Sequence, residues 1–382
     1  MAILWRHSKL AHRHAAIGGE LEDWNGMGTA WFYDHTPERA RADYEAIRTK
    51  AGLMDVSGLK KCHVTGKDAA YVIDRCTTRN VEKIAPGRAV YAAMLNADGK
   101  FIDDCVIYHL AVNSWMVVIG TGTGMESLTT VAAGKDCNVL FDDDLHDMSL
   151  QGPLSVDILA KEIPAIRDLA YFGIMQTRLY GCDVMISRTG YTGERGYEIF
   201  CRGKDAVHLW DSILDAGKDS GVRPCQFSTL DMLRIESYLL FYPGDNSETF
   251  PFDNEPCGDT LWELGLEFTV SPGKIGFIGA ENHYAHEGKE RIKIYGVKLA
   301  ESMARMDMGA RVMQGDKDVG VITYGLSSEL HSYSVAIARL APNVAKAGTK
   351  LTVVQLDGTK LEATAEEMPF YDKDKSVRTA KG

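Results

Sequence analysis

Short strand-like segments restrict the fold of this chain more than any other feature of its sequence. After residue 290, four of them follow one another with no helical pattern between them: IYGVKLA, VGVITYGLSS, YSVAIARL and TKLTVVQL. Such a series predicts a small β-barrel or sandwich at the C-terminal end. With 382 residues the chain is also too long for one compact core, so two or three domains are expected.

Before residue 290 the strand-like segments alternate with helical ones. The segment 36–52 predicts a helix capped by Thr36. The segment MDVSGLKKCHVTG has the alternation of a strand, and a hairpin is predicted with its turn at Asn96–Gly99. The segment 226–241 predicts an amphipathic helix. The mixture of strands and helices places the chain in the α+β class.

Composition and charge exclude several classes of function. The sequence has no apolar run of about 18–20 residues, the length that a membrane span needs. The N-terminal segment lacks the apolar core of a secretory signal, so a cytoplasmic location is expected. The net charge of −11 argues against nucleic acids or anionic membranes as partners.

Cysteine and histidine spacing predicts no metal site. The eight cysteines form no C-x-x-C pair, and several lie inside apolar strand-like runs where a thiol behaves as a small buried hydrophobe. His12 and His14 are too close together in a polar segment to suggest a ligand set. We therefore expect reduced thiols without a redox role and an enzyme without a metal.

Two adjacent aspartates, Asp103 and Asp104, stand out in the apolar strand FIDDCVIY. Because side chains alternate along a strand, the two carboxylates are predicted to lie on opposite faces. A carboxylate among apolar residues costs free energy unless it has a partner or a task. A charged strand end and a pocket carboxylate both agree with this pattern.

The segment SRTGYTGERGYEIF has a glycine at every third position, Gly190, Gly193 and Gly196. This spacing suggests a loop whose backbone passes close to a planar group. The segment is neither a P-loop nor a dinucleotide-binding turn. Its tyrosines and glutamates suit a flat heterocycle with N–H donors, such as a pterin, although an ordinary glycine-rich hairpin also agrees with it.

A third candidate lies on the helical segment LDMLRIES. Asp231 and Arg234 are three residues apart, which predicts an exposed ion pair on one helix face.

Several of these segments occur together in one order along the chain. They are MLNADGKFIDDCVIY, QGP (Gln151–Pro153), SRTGYTGERGYEIF, LDMLRIES, LWELGLEF and PGKIGFIGAE. In this order the chain resembles the aminomethyltransferase (glycine-cleavage T-protein) family, which also contains folate-dependent demethylases. The likeness covers about residues 40–340, and SRTGYTGE is its most specific motif.

The resemblance implies a three-domain clover-leaf with tetrahydrofolate in a central hole. It implies two interleaved α/β domains within 1–285, one of about 1–55 with 145–240 and one of about 56–144 with 241–285, followed by a β-barrel at 290–372.

The family's site residues can be carried over motif by motif. The second aspartate of the I-D-D strand, which lies beside the reactive part of the pterin, is Asp104, and it is the expected catalytic residue. The tyrosine of the preceding strand is Tyr91.

The remaining carried-over residues concern folate binding. The pterin-clamping glutamate corresponds to Glu198 and its aromatic partner to Tyr191. Tyr171 matches another folate-facing aromatic residue. Arg234 corresponds to the arginine near the glutamate tail of the folate.

Three departures from the T-protein pattern affect the expected reaction. The chain has EDWNGMG where T-proteins have F-A-G-W, DVSGLKK in place of D-V-S-H-M-G, and a changed segment after the arginine helix. These departures concern the substrate side. They favour a demethylase that moves a methyl group from a small onium, amine or methoxy donor to N5 of tetrahydrofolate.

Two alternatives remain open. The first is aminomethyl transfer in glycine cleavage, which would add a lipoyl carrier protein as a partner. The second is a folate-binding protein without catalysis. The sequence PGKIGFIGAE argues against the second because it lacks the K-G-C-x-x-G-Q-E motif of such relatives.

Overall fold

The computed structural model describes residues 6–252, 256–299, 302–328 and 333–381. Helices in this part of the chain are α1 (Ala11–Ala16), α2 (Pro37–Thr49), α3 (Ala69–Cys76), α4 (Gly124–Ala132), α5 (Ser155–Ala160), α6 (Gly203–Gly217), α7 (Ser228–Glu236), α8 (Leu261–Leu264), α9 (Ala280–Ala285) and α10 (Ser376–Thr379). Short 3₁₀ turns lie at Val81–Lys83, Pro164–Asp168, Lys218–Ser220 and Glu267–Thr269.

The strands form three larger sheets and one hairpin. They are β1 (Glu20–Trp24), β2 (Met27–Phe32), β3 (Gly52–Asp55), β4 (Lys60–Thr65), β5 (Ala89–Leu95), β6 (Phe101–Ala111), β7 (Ser114–Ile119), β8 (Asn138–Phe141), β9 (Leu145–Gln151), β10 (Ile174–Leu179), β11 (Cys182–Ser187), β12 (Gly196–Arg202), β13 (Arg223–Pro224), β14 (Lys293–Leu299), β15 (Arg311–Gln314), β16 (Lys317–Ser328), β17 (Tyr333–Leu340), β18 (Lys350–Val354) and β19 (Lys360–Glu366).

A six-stranded sheet has the order β10-β11-β12-β9-β3-β13 and is antiparallel except at the β3–β13 pair. Leu209, Trp210 and Ile213 of α6 are buried in the hydrophobic core that forms against this sheet. Apolar residues on α6 at spacings of three and four make this face of the helix continuous.

A five-stranded antiparallel sheet has the order β5-β6-β7-β4-β8, with α3 and α4 packed in its core. The two sheets meet where Tyr108 of β6 packs edge-on against Phe200 of β12, with ring centroids 5.6 Å apart. The strands that carry the two main sequence motifs therefore lie in neighbouring sheets.

The C-terminal strands close into a six-stranded barrel in the order β14-β17-β16-β15-β18-β19. The predicted α+β class and the barrel are confirmed, and the sandwich alternative is wrong. Ala300, the last residue of the first predicted strand, lies outside the described residues. On its outer side the barrel packs Val335 and Ile337 against Phe101 of β6 and Ile235 of α7, so the barrel contacts the hairpin that carries the aspartate pair.

Two of the local predictions are confirmed. Thr36 caps α2 through a hydrogen bond that its side chain accepts from the backbone N–H of Arg39. The β5–β6 hairpin turns at Asn96–Gly99, where the N–H of Gly99 donates to the carbonyl of Asn96.

The prediction of one strand in MDVSGLKKCHVTG is wrong, because the segment forms β3 and β4 in two different sheets. A turn separates them, in which the N–H of Leu59 donates to the carbonyl of Val56. Gly58 in this turn lies against Trp24, and a Cβ there would be 2.3 Å from the indole ring. Because the alternation of apolar residues continues across the turn, the sequence gives no sign of the turn.

The helix predicted over 226–241 is shorter, since α7 ends at Glu236. Tyr238 has φ of +44°, and the N–H of Leu239 donates to the carbonyl of Arg234. The apolar residues that continue the pattern after Glu236 pack against the barrel and α8 in a non-helical conformation.

Candidate functional site

The adjacent aspartates of β6 lie on opposite faces of the strand, as the alternation predicts. The carboxylate of Asp103 is fully buried and accepts hydrogen bonds from the N–H groups of Gly124 (3.0 Å) and Asp104 (2.9 Å). Asp104 is partly exposed and accepts a hydrogen bond of 2.7 Å from the hydroxyl of Tyr91. Asp103 therefore holds the backbone at the start of α4, and Asp104 faces away from it.

The pKa values of both carboxylates are raised. Burial, with the neighbouring charge of Asp104, raises the pKa of Asp103 to about 7. Burial raises the pKa of Asp104 to about 6, against the opposing effect of the hydrogen bond from Tyr91. Above pH 7 Asp104 is mostly an anion with a single hydroxyl donor.

The glycines of SRTGYTGERG lie against side chains of this chain. A Cβ at Gly190 or at Gly196 would be 2.1 Å from Oε1 of Gln151, and one at Gly193 would be 1.9 Å from Oγ of Ser237. The side chains of Gln151 and Ser237 therefore occupy the space beside these glycines, and the absence of a Cβ lets the loop pack closely against them.

A buried ionic network fixes the same loop. The guanidinium of Arg48 on α2 donates to the carbonyl of Thr192 (2.8 Å) and to the carboxylates of Glu194 and Glu236 (3.0 Å each). The hydroxyl of Tyr371 donates to Glu194 at 2.5 Å. Because these groups are buried, each charge is held in one geometry by its partners.

Glu198 lies on β12 just after the loop and is partly exposed. Its carboxylate accepts hydrogen bonds from the hydroxyls of Thr189 and of Tyr108, the latter at 3.4 Å. Burial raises the pKa of Glu198, and both hydroxyl bonds oppose the increase. Burial raises the pKa of Tyr171, and the charge of Glu198 is among the smaller influences in the same direction.

Tyr191 is fixed to the segment that follows α7. Its hydroxyl donates to the backbone carbonyls of Leu239 (3.1 Å) and Leu240. Burial raises its pKa well above the usual value, Arg234 opposes this, and Asp104 adds to it. One aromatic ring is therefore electrostatically close to both charged candidates.

The prediction of an exposed pair at Asp231 and Arg234 is wrong, because Arg234 is fully buried. Its guanidinium donates to Asp231 (3.1 Å) and to Asp245 (2.6 Å) and lies 4.1 Å from the ring centroid of Tyr324. Its Nη2 has no hydrogen-bond partner within the described residues. The second aspartate and the barrel tyrosine are distant in sequence, so the spacing of three gave no sign of them.

Phe268 was not among the predicted site residues, although it belongs to the LWELGLEF motif. Its side chain is 58% exposed, and its ring stacks on Tyr91 with centroids 6.5 Å apart and an interplanar angle of 24°. Arg79 donates to the carbonyls of both Tyr91 (2.8 Å) and Phe268 (3.2 Å). The sequence feature that could have identified Phe268 is an aromatic residue next to acidic residues.

Two findings concern metals and membranes. Across residues 6–381, excluding the stretches not described, no group of three or more His, Cys, Asp or Glu side chains is placed to hold a metal ion. Among the helices of the same residues, none combines the length and apolarity needed to cross a bilayer.

Two family models match the chain. Residues 10–274 match the GCVT N-terminal domain, and residues 293–372 match the glycine cleavage T-protein C-terminal barrel domain. Together they cover the two sheets, the aspartate hairpin, the glycine loop and the barrel.

Curated relatives match over the whole length. The chain is 54% identical to the heme-dependent oxidative N-demethylase gamma subunit of Ectopseudomonas mendocina, over 100% of both chains. It is 30% identical to the aminomethyltransferase of Bacillus pumilus, over 97% of this chain and 100% of that protein. It is 31% identical to the aminomethyltransferase of Bacillus subtilis, over 96% and 99%.

A solved structure has the same fold. The glycine cleavage system aminomethyltransferase T from Bartonella henselae superposes with a TM-score of 0.85 at 24% identity, covering 96% of this chain and 98% of that one.

Proposed function

Because this chain belongs to the glycine-cleavage T-protein (aminomethyltransferase) family and is an enzyme of that family, we propose that it moves a one-carbon unit from a small methylated amine to N5 of tetrahydrofolate. The resemblance read from the motifs is confirmed by the two family models. The enzymatic names of the relatives disfavour a folate-binding protein without catalysis.

The proposal rests on the exposure, charge and hydrogen bonding of Asp104. A partly exposed carboxylate, anionic above pH 7 and held by one tyrosine hydroxyl, is suited to stabilise positive charge that develops next to it. Tetrahydrofolate supplies the nucleophilic N5. Asp104 would orient that nitrogen and balance its charge, and Tyr91 would hold the carboxylate in place.

Other residues fit a reduced folate by their chemistry. The carboxylate of Glu198 can accept hydrogen bonds from the N–H groups of a pterin. Nη2 of Arg234 is a buried donor without a partner in the described chain, which suits a carboxylate of the folate tail. The rings of Tyr191 and Tyr171 offer flat faces for the heterocycle. These four assignments, like that of Asp104, are proposals.

A second candidate concerns the oxidation level of the carbon. The name of the 54% identical relative describes oxidative N-demethylation, which removes a methyl carbon at the formaldehyde level, as an iminium ion or as formaldehyde. Capture of that carbon by N5 and N10 of tetrahydrofolate, with loss of the amine or of water, gives the 5,10-methylene product. This candidate joins demethylation to the aminomethyl chemistry of the T-protein.

The same name describes a gamma subunit, so we further propose that this chain works beside oxidising subunits. In that arrangement the oxidation occurs on the partners and the chain receives the carbon. The chain's own residues would then need only to position the folate and to exclude water, which can supply much of the rate increase.

A donor screen tests the proposal. The protein is incubated with tetrahydrofolate and either methylated amines or formaldehyde, and the folate products are separated by chromatography. 5-Methyltetrahydrofolate from an amine supports direct methyl transfer, and faster formation of the 5,10-methylene product from formaldehyde than in the protein-free control supports the second candidate. If neither product exceeds the control, in the presence or absence of oxidising partner subunits, the proposed function is wrong.

A further inference from the structure

Two sequence segments that depart from the T-protein pattern meet in the fold. The segment EDWNGMG forms the β1–β2 turn, and DVSGLKK contains the turn between β3 and β4. Trp24 of the first segment packs against Gly58 of the second, where a Cβ would be 2.3 Å from the indole ring. The proposed function gives neither segment a role.

Asn25 connects both segments with the end of β7. It has φ of +54° and is followed by Gly26 with φ of +81°, as in a tight two-residue hairpin turn. Its side-chain nitrogen donates to the carbonyl of Gly58 (3.1 Å) and to the carbonyl of Gly120 (3.2 Å). Gly120 directly follows β7, so one amide joins three parts of the chain.

The backbone of this turn is itself fixed by Arg6. Arg6 is fully buried, and its guanidinium donates to the carbonyls of Asn25 (3.1 Å) and Gly58 (2.8 Å). The backbone N–H of Arg6 donates to the carbonyl of Gly26 at 3.0 Å. Because the backbone of Asn25 is held in place, its amide can hold a second segment in one position.

Gly120 lies beside the carboxylate of Asp104. A Cβ at Gly120 would be 3.2 Å from Oδ1 of Asp104, and it would be equally close to Oδ1 of Asp103. The other oxygen of Asp104, Oδ2, accepts the hydrogen bond from Tyr91. The carboxylate of Asp104 therefore has Tyr91 at one oxygen and the backbone of Gly120 next to the other.

The strand pairing alone holds Gly120 weakly. The N–H of Gly120 donates to the backbone carbonyl of Asp104 at 3.4 Å, a long bond at the end of the β6–β7 ladder. The bond from Asn25 to the carbonyl of Gly120 is the second restraint. Without it the Gly120 peptide could move and change the space next to Oδ1 of Asp104. A displacement of about 1 Å at a catalytic group can lower a rate by about 10²-fold.

We propose that Asn25 is a positioning residue for Asp104, which acts by fixing the Gly120 peptide beside the carboxylate. The inference rests on the proposed catalytic role of Asp104. Asn25 acts without touching the folate. The segments that depart from the T-protein pattern thus act on the reaction through the position of one carboxylate.

Turnover of Asn25→Gly tests this role in the full-length protein. Glycine adopts the left-handed conformation without strain, so the variant keeps the turn and loses only the amide. Turnover is measured with tetrahydrofolate and the donor of the screen above, methylated amine or formaldehyde, that gives product. We expect turnover to fall about tenfold, less than for a full displacement of the carboxylate, while folate affinity in calorimetry stays unchanged.

Lys60→Met is the matched control. Lys60 donates to the carbonyl of Gly122 at 3.3 Å, two residues further along the same segment. A Cβ at Gly122 would be 2.8 Å from Cγ of Asp103, and Asp104 is not among its nearest neighbours. Turnover of Lys60→Met should therefore equal that of the wild type.

A double-mutant cycle separates positioning from a merely structural role. If Asn25 acts through Asp104, the loss caused by Asn25→Gly should disappear in the Asp104→Asn background, because no anion remains to be positioned. A structural role would give the same fold-loss in both backgrounds. Equal losses in the two backgrounds, or wild-type turnover of Asn25→Gly, overturn the inference. Wild-type turnover of Asp104→Asn shows instead that the proposed catalytic role of Asp104 is wrong.

Carboxyl-¹³C NMR of aspartate-labelled protein tests the same contact without any reaction. The signal of Asp104 is assigned by its absence in Asp104→Asn. In Asn25→Gly the titration midpoint of this signal should move by about half a pH unit or more, because the surroundings of Oδ1 change. It should stay in place in Lys60→Met. An unmoved midpoint in Asn25→Gly overturns the inference, and thermal unfolding confirms that the compared variants are folded.

Discussion

The loop that leads to Glu198 and the strand that carries Asp104 are held in opposite ways. The loop is closed by glycines against Gln151 and by the buried guanidinium of Arg48. Asp104, in contrast, is partly exposed, has one hydroxyl donor and lies next to the exposed ring of Phe268. One end of the proposed site is rigidly built, and the other is open.

This difference offers a physical reason why relatives with different donors share one fold. Aminomethyltransferases and an N-demethylase subunit match the chain over its full length. A change in the buried loop would disturb several ionic partners at once, whereas a change beside Asp104 would disturb few contacts. The proposed donor end can therefore vary while the proposed folate end stays the same.

The largest expected effect is a loss of stability at the loop that leads to Glu198, which is the closed end of the proposed site. Arg48→Met removes the cation from Glu194 and Glu236, two buried carboxylates that also accept hydroxyl hydrogen bonds from Tyr371 and Tyr44. Breaking a buried ion pair from one side costs about 3–5 kcal/mol. Chemical denaturation should show a loss of this size in the free energy of unfolding. A loss below about 1 kcal/mol would mean that the loop is not held by this network.

At the open end, Asp104→Asn should lower turnover by about 10²–10³-fold, the effect of removing one preorganised electrostatic partner. Folate affinity, measured by calorimetry, should change little. Asp103→Asn is the contrasting variant, and it should reduce stability, because its carboxylate accepts two backbone hydrogen bonds, while costing much less in turnover. Equal losses of turnover in both variants would contradict the catalytic role of Asp104.

The binding role of the closed end is tested by Glu198→Ala. We expect an intact fold and a loss of about 2–3 kcal/mol in folate binding, typical of lost charge-assisted hydrogen bonds. Calorimetry measures the affinity and thermal unfolding reports the fold. Unchanged affinity would remove Glu198 from the site.

The pH dependence of turnover should report the ionisation of Asp104 at the open end of the proposed site. Asp104 acts as an anion, and burial raises its pKa to about 6, so activity is present above this value and is lost as the pH falls through it. One unit below the pKa the anionic fraction, and with it the rate, is about tenfold lower. A pH–rate profile of Asp104→Asn should lack this decrease. If the decrease persists in the variant, another group causes it.

The smallest effect is expected at Phe268. Phe268→Ala should raise the KM for an amine donor about two- to tenfold, the scale of one lost aromatic contact, and should leave folate affinity unchanged. Ile275→Ala is the matched control, because Ile275 is 75% exposed and has no contact with Tyr91 among those described. Equal KM values in the two variants would mean that Phe268 does not contact the donor.

Local patterns predicted much of the fold but not how distant segments meet. The hairpin turn and the cap of α2 follow from contacts between residues near in sequence. The barrel was predicted from its series of short strands, although its closure pairs strands far apart in sequence, such as β14 and β19. The turn that divides MDVSGLKKCHVTG between two sheets packs its Gly58 against Trp24, which lies outside the segment. Such a contact leaves no trace in a short window of sequence.

The candidate site shows the same limit. The opposite faces of Asp103 and Asp104 follow from the period of a strand, but the burial of Arg234 depends on Asp245 and on the barrel residue Tyr324.

The network that fixes the glycine loop also has a consequence for synthesis on the ribosome. Its bonds join Arg48 to Glu194 across 146 positions, Arg48 to Glu236 across 188, and Tyr371 to Glu194 across 177. Contacts of such long range form late, since the intervening chain must be ordered first. The carboxylate of Glu194 lacks one of its donors until Tyr371 has emerged. Nascent chains interrupted before that residue would have an incomplete loop, and the site would become competent only after Tyr371 has been synthesised.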